Sequence, residues 1–343
     1  MMGFAWTDAR TIPEAAANSS ATVATAMALS PDAGVDSELS IVKAGGIDLL
    51  DLLKDGLLAP ARLVSLAQIP GLDAIMERPG GVLRLGAMVR LNSVAEHPVV
   101  RQRFPALADA VQNSASPQIR NVATLGGNLL QRPRCWYLRT AEFRCLRKGG
   151  GHCFALVGEN RYHAIFDNQL CAIVHPSTAA TVLIALGATL ELSRGDGATR
   201  RVLLEDFLVT PGSDVQREND LRAGEILTAI DLPAPPAGTR MAHQRQSERA
   251  SFDWPLADVA VVLEMAPGNR CRRAAVVLGA SAPVPHRAMA AQAILTGRHI
   301  DAAAAAQAGR AALEGATPLR QNAYKLPLFE VLVRRAILQA AES

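Results

Sequence analysis

The stretch KAGGIDLLDLLK, residues 43–54, is the part of the sequence that decides the fold. A short apolar strand runs into the pair Gly45-Gly46, and the pattern then predicts a helix that ends at Gly56. The apolar face of that helix consists of Leu49, Leu52 and Leu53. Glycines let a ligand approach the backbone closely, and the amides of a first helical turn suit a phosphate. The spacing is neither G-x-G-x-x-G nor a P-loop, so a plain turn stays the alternative interpretation.

A second glycine pair lies in the stretch NVATLGGNL, residues 121–129, which we interpret as a strand that runs into Gly126-Gly127. Thr124 and Asn128 can add side-chain hydrogen bonds to the same phosphate group. Each glycine pair is a weak signal alone. Because a cysteine-rich segment begins soon after the second pair, the combination indicates a redox subunit with a nucleotide cofactor near a metal cluster.

Length and composition exclude several classes of protein. The 343 residues, 49% of them hydrophobic, predict two domains with a substantial core. A net charge of +3 and an aromatic content of 4% argue against a nucleic-acid-binding protein. No apolar run is long enough for a membrane span, and the stretch MMGFAWTDAR lacks the pattern of an export signal.

Elsewhere the pattern predicts alternating strands and helices. We expect a strand at Val82–Leu85, a helix capped by Asn92 or Ser93, a helix at Phe104–Val111 and a helix capped by Ser177. A hairpin around Gly195-Asp196-Gly197 and a strand within LRAGEILTAIDLP follow, and the Pro-rich residues 233–239 mark a domain boundary. Beyond that boundary, strands at 257–264 and 274–280 precede helices at 286–296, 301–314 and 325–341, an order typical of an α+β domain.

Four of the five cysteines lie within residues 131–176, at Cys135, Cys145, Cys153 and Cys171. Four thiolates suit a zinc ion or an iron–sulfur cluster, and two disulfides or unconnected thiols are the alternatives. The C-x2–4-C knuckles typical of zinc are absent from the sequence, and nearby positive charge would stabilise an anionic cluster. The basic residues of this segment are Arg132, Arg134, Arg139, Arg144, Arg147 and Lys148. We interpret His152, His163 and His175 as loop or packing residues, since four cysteines already complete a ligand set.

Over nearly its whole length the chain resembles the FAD-binding medium subunit of the molybdenum hydroxylases, the xanthine dehydrogenase and aldehyde oxidoreductase family. The segment from Arg134 to Ser177 is similar to the subset whose flavin subunit carries an extra [4Fe-4S] cluster, such as the bacterial aldehyde oxidoreductase subunit and the 4-hydroxybenzoyl-CoA reductase medium subunit. The stretches that carry the family resemblance are AGGIDLLDLLK (44–54), LRLGAMVRL (83–91), QIRNVATLGGNL (118–129), GEILTAIDLP (224–233) and the segment from VVLGASAPVP (276–285) onward.

The resemblance implies an α+β fold: a two-part FAD-binding domain of the vanillyl-alcohol oxidase (PCMH) type at residues 1–232, with an iron–sulfur insertion at 131–176, then a smaller α+β domain at 240–343. It implies that Cys135, Cys145, Cys153 and Cys171 ligate the [4Fe-4S] cluster. Thr178 stands where the family often has an acidic residue, and Arg245 or Gln244 stands where a lysine is common. The implied FAD-binding residues are Lys43, Ala44, Gly45, Gly46, Ile47, Asp48, Leu49, Ser114, Thr124, Leu125, Gly126, Gly127, Asn128, Thr178, Leu227 and Arg245.

The resemblance also implies a division of labour among subunits. Substrate chemistry takes place at a molybdenum cofactor in a large subunit, a small subunit carries two [2Fe-2S] centres, and the complex is a heterotrimer or its dimer. FAD in this chain passes the electrons to an external acceptor, so we expect no catalytic acid, base or nucleophile here. The expected location is the cytoplasm, or the periplasm through export with a signal-bearing partner.

Two other function classes stay open from the sequence. A stand-alone FAD oxidase needs a His or Tyr linked to the flavin or placed against it. The three tyrosines of the chain are Tyr137, Tyr162 and Tyr324, and the first two lie inside the cysteine-rich segment, which disfavours this class. A non-enzymatic iron–sulfur scaffold or redox sensor would bind no flavin.

Overall fold

A computed structural model describes residues 3–29, 38–249 and 252–342, and three β-sheets organise them. The first part of the fold is a parallel three-stranded sheet in the order β1-β3-β2. Its elements are β1 (Ala5–Asp8), α1 (Ile12–Ala17), α2 (Val23–Leu29), β2 (Ser40–Lys43), α3 (Ile47–Lys54) and β3 (Arg62–Ser65). The prediction for α3 is confirmed: its three periodic leucines are buried, and Gly56 follows its end with a positive φ of 69°.

The second part begins with two strands of an antiparallel sheet and a run of short helices. These elements are β4 (Ile75–Glu77), a 3-10 turn at Pro79–Gly81, β5 (Leu83–Gly86), α4 (Leu91–Glu96), α5 (Pro98–Arg103), α6 (Pro105–Gln112), α7 (Pro117–Arg120) and α8 (Leu125–Leu129). The strand at β5 and the helix at α6 confirm two of the sequence predictions.

Residues 131–176, called the cysteine segment below, leave the second part after α8 and form little regular structure. The segment contains α9 (Trp136–Arg139) and two 3-10 turns, Leu146–Lys148 and Phe154–Leu156. The chain then completes the second part with α10 (Thr178–Ala185), β6 (Thr189–Arg194), β7 (Thr199–Leu203), α11 (Leu204–Phe207) and β8 (Glu225–Leu232). The five-stranded sheet has the order β4-β5-β8-β6-β7, and β8, its central strand, is buried along its whole length because neighbours flank it on both edges.

The C-terminal part is a second antiparallel sheet, of four strands, covered by helices. Its elements are β9 (Thr239–Gln246), β10 (Ala257–Ala266), β11 (Arg270–Gly279), β12 (His286–Arg287), α12 (Met289–Leu295), α13 (Ala302–Ala311) and α14 (Lys325–Glu342). The sheet order is β12-β11-β10-β9, and α14 packs on β9 and β10. Three sheets with helices packed around them confirm the α+β class, and the first two of these sheets form the two-part domain that precedes the C-terminal part. None of the helices in the described ranges is long and apolar enough to cross a bilayer.

Two local predictions are wrong, and the strands β1, β3, β4, β9 and β12 went unpredicted. Asn92 and Ser93 lie inside the first turn of α4, whose N-cap position is Arg90. The stretch before Gly126-Gly127 is not a strand, since a single bridge joins Arg90 to Thr124 before α8 begins. The helix forms there because the Thr124 hydroxyl accepts a hydrogen bond from the Gly127 amide and caps the turn. β9 was missed because its sequence, TRMAHQRQ, is mostly polar.

Residues just before α14 and at its beginning hold the cysteine segment in place through hydrogen bonds. Asn160 and Gln321 exchange two hydrogen bonds, and Asn322 donates to the carbonyls of His163 and Ala164. The fully buried Lys325 amine donates to three carbonyl oxygens, those of Tyr162, His163 and Ala280, at 2.8–3.1 Å. These contacts satisfy the backbone of an irregular segment that has no sheet of its own.

We expect Lys325→Met to destabilise the chain by about 2 kcal/mol, because it removes the donor to three buried carbonyl groups. Chemical unfolding of the full chain measures the change. Lys54→Met, a matched change at an exposed helix position, should alter stability by less than about 0.5 kcal/mol. Equal effects of both changes would show that the Lys325 contacts do not stabilise the fold.

The effect of Lys325→Met on stability should depend on pH, whereas the effect of Lys54→Met should not. Burial lowers the pKa of Lys325 from 10.5 to about 7. Between those two values the unfolded chain binds the extra proton, so stability of the wild type rises with pH across this window. We therefore expect the stability difference between wild type and Lys325→Met to grow from neutral pH toward pH 10. Lys54→Met should show no such trend, and a difference that shrinks with pH would contradict this assignment.

Candidate functional site

A cleft of about 470 Å³ lies where the first and second parts of the fold meet a loop of the C-terminal part. Both glycine loops line it, together with Ser114, Thr178, Leu227 and Arg245. Of the cofactor residues expected from the sequence, only Lys43 and Leu125 are not among its lining residues. The Lys43 amine donates to the Ala44 carbonyl and lies 5.3 Å from the centre of the Trp6 ring, and the side chain of Leu125 is buried in the core.

The two glycine loops touch each other at Gly45. A Cβ atom at this position would overlap the carbonyl oxygen of Val122, just before the second loop. Gly46 occupies the N-cap position of α3 with a φ of 86°, which a side chain would strain. The first amides of α3 have no acceptor within the helix, and this end of the helix opens onto the cleft.

The second loop presents a different surface. The amides of Leu125, Gly126 and Gly127 donate to the Val89 carbonyl, the Ala87 carbonyl and the Thr124 hydroxyl, at 2.8–3.1 Å. Its backbone donors are thus used within the fold. A Cβ at Gly126 would lie only 2.9 Å from Ala87, and one at Gly127 would lie 2.9 Å from the Thr124 hydroxyl. The loop therefore offers a ligand a close, flat approach to the backbone but no free amides.

The side chain of Asp48 in the first loop is committed to the cysteine segment. It accepts hydrogen bonds from the Arg132 amide at 2.8 Å and from the Arg139 guanidinium at 2.6 Å, and it pairs with Arg134 at 3.1 Å. Two guanidinium groups and one backbone amide thus stabilise its carboxylate. Asp48 thus lines the cleft and links α3 to the start of the cysteine segment.

The remaining predicted residues occupy separate walls of the cleft. Ser114 donates its hydroxyl to the Ala110 carbonyl at 2.7 Å, and Thr178 opens α10 directly after its cap, Ser177. Arg245 of β9 donates to the Asn113 carbonyl, to the Ser247 hydroxyl and to the Asp253 carbonyl. Burial lowers the pKa of Arg245. This arginine therefore joins the C-terminal sheet to the end of α6.

Sequence reasoning missed several lining residues that reach the cleft from distant positions. Trp254 follows β9 and lines the cleft. The guanidinium carbon of Arg134 lies 4.7 Å from the centre of the Trp254 ring. Arg132, Arg217, Glu218 and Arg222 also line the cleft. Of these only Arg132, as one of the basic residues beside the cysteines, carried any signal in the sequence. The others come from loops whose position depends on packing.

All four cysteines of the cysteine segment line one small internal cavity of about 10 Å³. The His163 ring nitrogen Nε2 lies 3.2 Å from Cys135 Sγ, and Arg147 Nε donates to Cys171 Sγ at 3.3 Å. Throughout the described ranges, no three or more His, Cys, Asp or Glu side chains have a ready metal-ligating geometry. The thiols are thus neighbours around a cavity rather than a closed coordination shell.

Two of these thiols have opposite electrostatic surroundings. Burial raises the pKa of the Cys135 thiol to about 12. A hydrogen bond from the Cys153 thiol, helped by the Arg147 guanidinium, lowers the pKa of Cys171. Cys171 is therefore converted to thiolate, the form that binds metals, more readily than Cys135 is.

The histidines mostly pack as expected. His152 stacks against Phe154 with ring centres 4.2 Å apart, and His175 accepts a hydrogen bond from the Ser177 amide. His163 lines the thiol cavity, which the sequence did not predict. Cys271 lies apart from the other cysteines, in the core of the C-terminal part.

Comparisons with known proteins agree with this architecture. Residues 13–235 match the family described as FAD binding domain in molybdopterin dehydrogenase, and residues 242–340 match the CO dehydrogenase flavoprotein C-terminal domain. The chain is 37% identical over 255 residues to the aldehyde oxidoreductase FAD-binding subunit PaoB of Escherichia coli, covering 74% of this chain and 78% of that one.

Two further relatives extend the likeness to nearly the whole chain. The carbon monoxide dehydrogenase medium chain of Hydrogenophaga pseudoflava is 28% identical over 319 residues, covering 92% of this chain and 93% of that one. The crystal structure of quinoline 2-oxidoreductase from Pseudomonas putida 86 superposes with a TM-score of 0.71 and 26% identity, over 99% of this chain and 98% of that one. The chain therefore belongs to the FAD-binding medium subunits of the molybdenum hydroxylases and is an oxidoreductase subunit.

Proposed function

We propose that this chain is the electron-transfer subunit of a molybdenum-containing aldehyde oxidoreductase or dehydrogenase complex, in which it passes electrons from iron–sulfur centres through FAD to an external acceptor. One observation carries the proposal. The cleft built by the two glycine loops lies beside the four-thiol cavity, and Glu218 pairs with one arginine on each side. Two sites suited to redox cofactors thus share one wall.

The expected cofactor residues fit FAD, and we propose them as its binding site. The first amides of α3, next to Gly46, would hold the pyrophosphate, and the flat surface at Gly126-Gly127 would let it approach closely. Ser114, Thr178, Leu227 and Arg245 surround the remaining cleft. Bound FAD supplies reversible electron transfer, while the chain binds, orients and shields it.

We further propose that Cys135, Cys145, Cys153 and Cys171 hold a [4Fe-4S] cluster. The donor set fits, since four thiols line one buried cavity and Arg147 and His163 approach the sulfurs. Ligation removes the thiol protons, so the hydrogen bond between Cys153 and Cys171 would give way to bonds with iron. Zinc is the alternative occupant, and it would leave the FAD assignment unchanged.

The cleft argues against a stand-alone flavin oxidase. Among its described lining residues there is no histidine and no tyrosine to attach to the flavin or lie against it. Membership in an FAD-binding family likewise argues against a scaffold or sensor that binds no flavin.

Partner subunits form the rest of the proposal. We propose a large subunit with the molybdenum cofactor and a small subunit with two [2Fe-2S] centres, in a heterotrimer or its dimer. The names of the relatives support it, since they are called a medium chain and an FAD-binding subunit. We propose the cytoplasm as the location, or the periplasm by export with a signal-bearing partner. The division at residues 233–239 stays a proposal, supported by the family matches that end at 235 and begin at 242.

The direct test is anaerobic purification of the full chain with assays of flavin, iron and sulfide. Near-stoichiometric FAD with about four irons per chain is the expected result. FAD with zinc and no iron would overturn the cluster and keep the flavin role. Iron without flavin, even after FAD is added, would overturn the proposed function.

We expect Gly127→Val to lower the FAD content of the purified chain at least tenfold. Its side chain would project beside the Thr124 hydroxyl, between the two glycine loops, where the cofactor must approach the backbone. Released flavin measures the loss, and circular dichroism checks the fold. Gly212→Val is the matched control, because no atom lies near its Cβ position and it is not among the lining residues of the cleft. Full flavin in Gly127→Val would refute the assignment of the second loop.

For the cysteines, we expect Cys171→Ala to lose most of the iron, because it removes one of four ligands and the partner of Arg147. Cys271→Ala is the control, since this buried thiol lies in another core and donates to the Arg273 carbonyl. Iron per chain, measured beside flavin per chain, separates the two variants. Equal iron contents would show that Cys171 is not a ligand.

A further inference from the structure

A chain of three buried charges crosses the wall between the cleft and the thiol cavity. Arg147 Nη1 donates to Glu218 Oε1 at 2.6 Å, and Arg132 Nε lies 3.3 Å from Glu218 Oε2. On its far side Arg147 contacts Cys171 Sγ, while Arg132 and Glu218 line the cleft. The side chains of Arg132, Glu218 and Arg147 are 2%, 4% and 1% exposed. We call these three residues the charge bridge.

We propose that the charge bridge couples the flavin site to the thiol site electrostatically and sets the reduction potential of both. Arg147 and Glu218 act through their charges, since neither is proposed as a ligand of iron. The part that concerns the thiol site rests on the proposed function. The part that concerns the flavin requires only that FAD binds in the cleft.

The argument begins with burial and charge. Two arginines and one glutamate leave a net single positive charge in a wall where none of the three side chains is more than 4% exposed. Charges interact far more strongly there than at the surface. Adding an electron to either redox site adds negative charge, which this positive charge stabilises. The bridge therefore raises the reduction potential on both of its sides.

Buried arginine donors without hydrogen-bond partners also support the proposal. Among the described residues, Arg132 Nε, Nη1 and Nη2 and Arg147 Nη2 are buried without a hydrogen-bond partner, since the Arg132–Glu218 contact is an ion pair without hydrogen-bond alignment. Burying such donors without acceptors is costly. Acceptor atoms of a cofactor on either side would satisfy them, and donors aimed at cluster sulfurs also raise its potential.

A purely structural clamp is the competing interpretation, because the same contacts hold the Glu218 loop against the cysteine segment. The sign of the shift in reduction potential distinguishes the clamp from electrostatic coupling. A clamp predicts loss of iron, flavin or stability from any change in the bridge. Electrostatic coupling predicts shifts of opposite sign when a positive or a negative member is neutralised.

The experiment uses the full chain loaded with its cofactors and measures the midpoint potentials of flavin and iron–sulfur centre by anaerobic spectroelectrochemical titration. Arg147→Met should lower the potential of the iron–sulfur centre, and Glu218→Gln should raise both potentials. In the double variant R147M/E218Q the two changes should largely cancel. Arg147→Lys keeps the charge and should shift the potential less than Arg147→Met does.

The control is Arg161→Gln, which removes an arginine of the same segment whose side chain is 58% exposed and paired with Glu248 at the surface. It should leave both potentials unchanged. Flavin and iron per chain are measured for every variant. Loaded variants with unchanged potentials, or with shifts of the same sign for Arg147→Met and Glu218→Gln, would overturn the charge bridge. Failure of every bridge variant to load would also overturn it, in favour of the clamp.

Failure of the proposed function gives a different result. A wild-type chain that contains FAD but no iron would remove the iron–sulfur centre from the proposal. The flavin potential of Glu218→Gln would then still test the part of the proposal that concerns the flavin. A raised flavin potential supports the coupling on the cleft side, and an unchanged one overturns it.

Discussion

The close approach of Gly45 to the Val122 carbonyl is the constraint on which the rest of the site depends. It brings two loops from different parts of the fold into contact, so that the N-terminus of α3 and the start of α8 face one cleft. A side chain at Gly45 would push the two loops apart, because its Cβ atom would overlap the Val122 carbonyl oxygen. The close contact of the two loops thus requires a position without a Cβ atom.

Two sets of polar contacts hold the cysteine segment, one at its beginning and one in its second half. Asp48 holds its beginning against α3 through Arg132 and Arg139, and Lys325 holds residues 162–163 against the C-terminal part. Few regular elements stabilise the segment, so these polar contacts take the place of sheet hydrogen bonds. The same contacts place the thiol cavity beside the cleft, which is why one wall serves both.

Short sequence patterns were enough to predict many of the helices and strands. The leucine period of α3, the Ser177 cap of α10 and the apolar runs of β10 and β11 follow from short-range geometry, and the structure confirms these elements. The errors have local causes too. Thr124 was assigned to a strand because β-branched and apolar residues precede it, yet its hydroxyl caps a helix. β9 was not predicted because most of its residues are polar and the sequence contains few apolar residues to mark a strand.

By itself the sequence determined the class of fold, the family, the two glycine loops and the grouping of four cysteines, since each is written in neighbouring residues. Only the tertiary structure decided that the second loop spends its amides within the fold, that Asp48 pairs with arginines, and that Glu218 joins Arg132 to Arg147. These pairs are separated by up to 91 residues along the chain. No local periodicity encodes such contacts, because they arise only when packed elements bring distant buried charges together and exclude water from them.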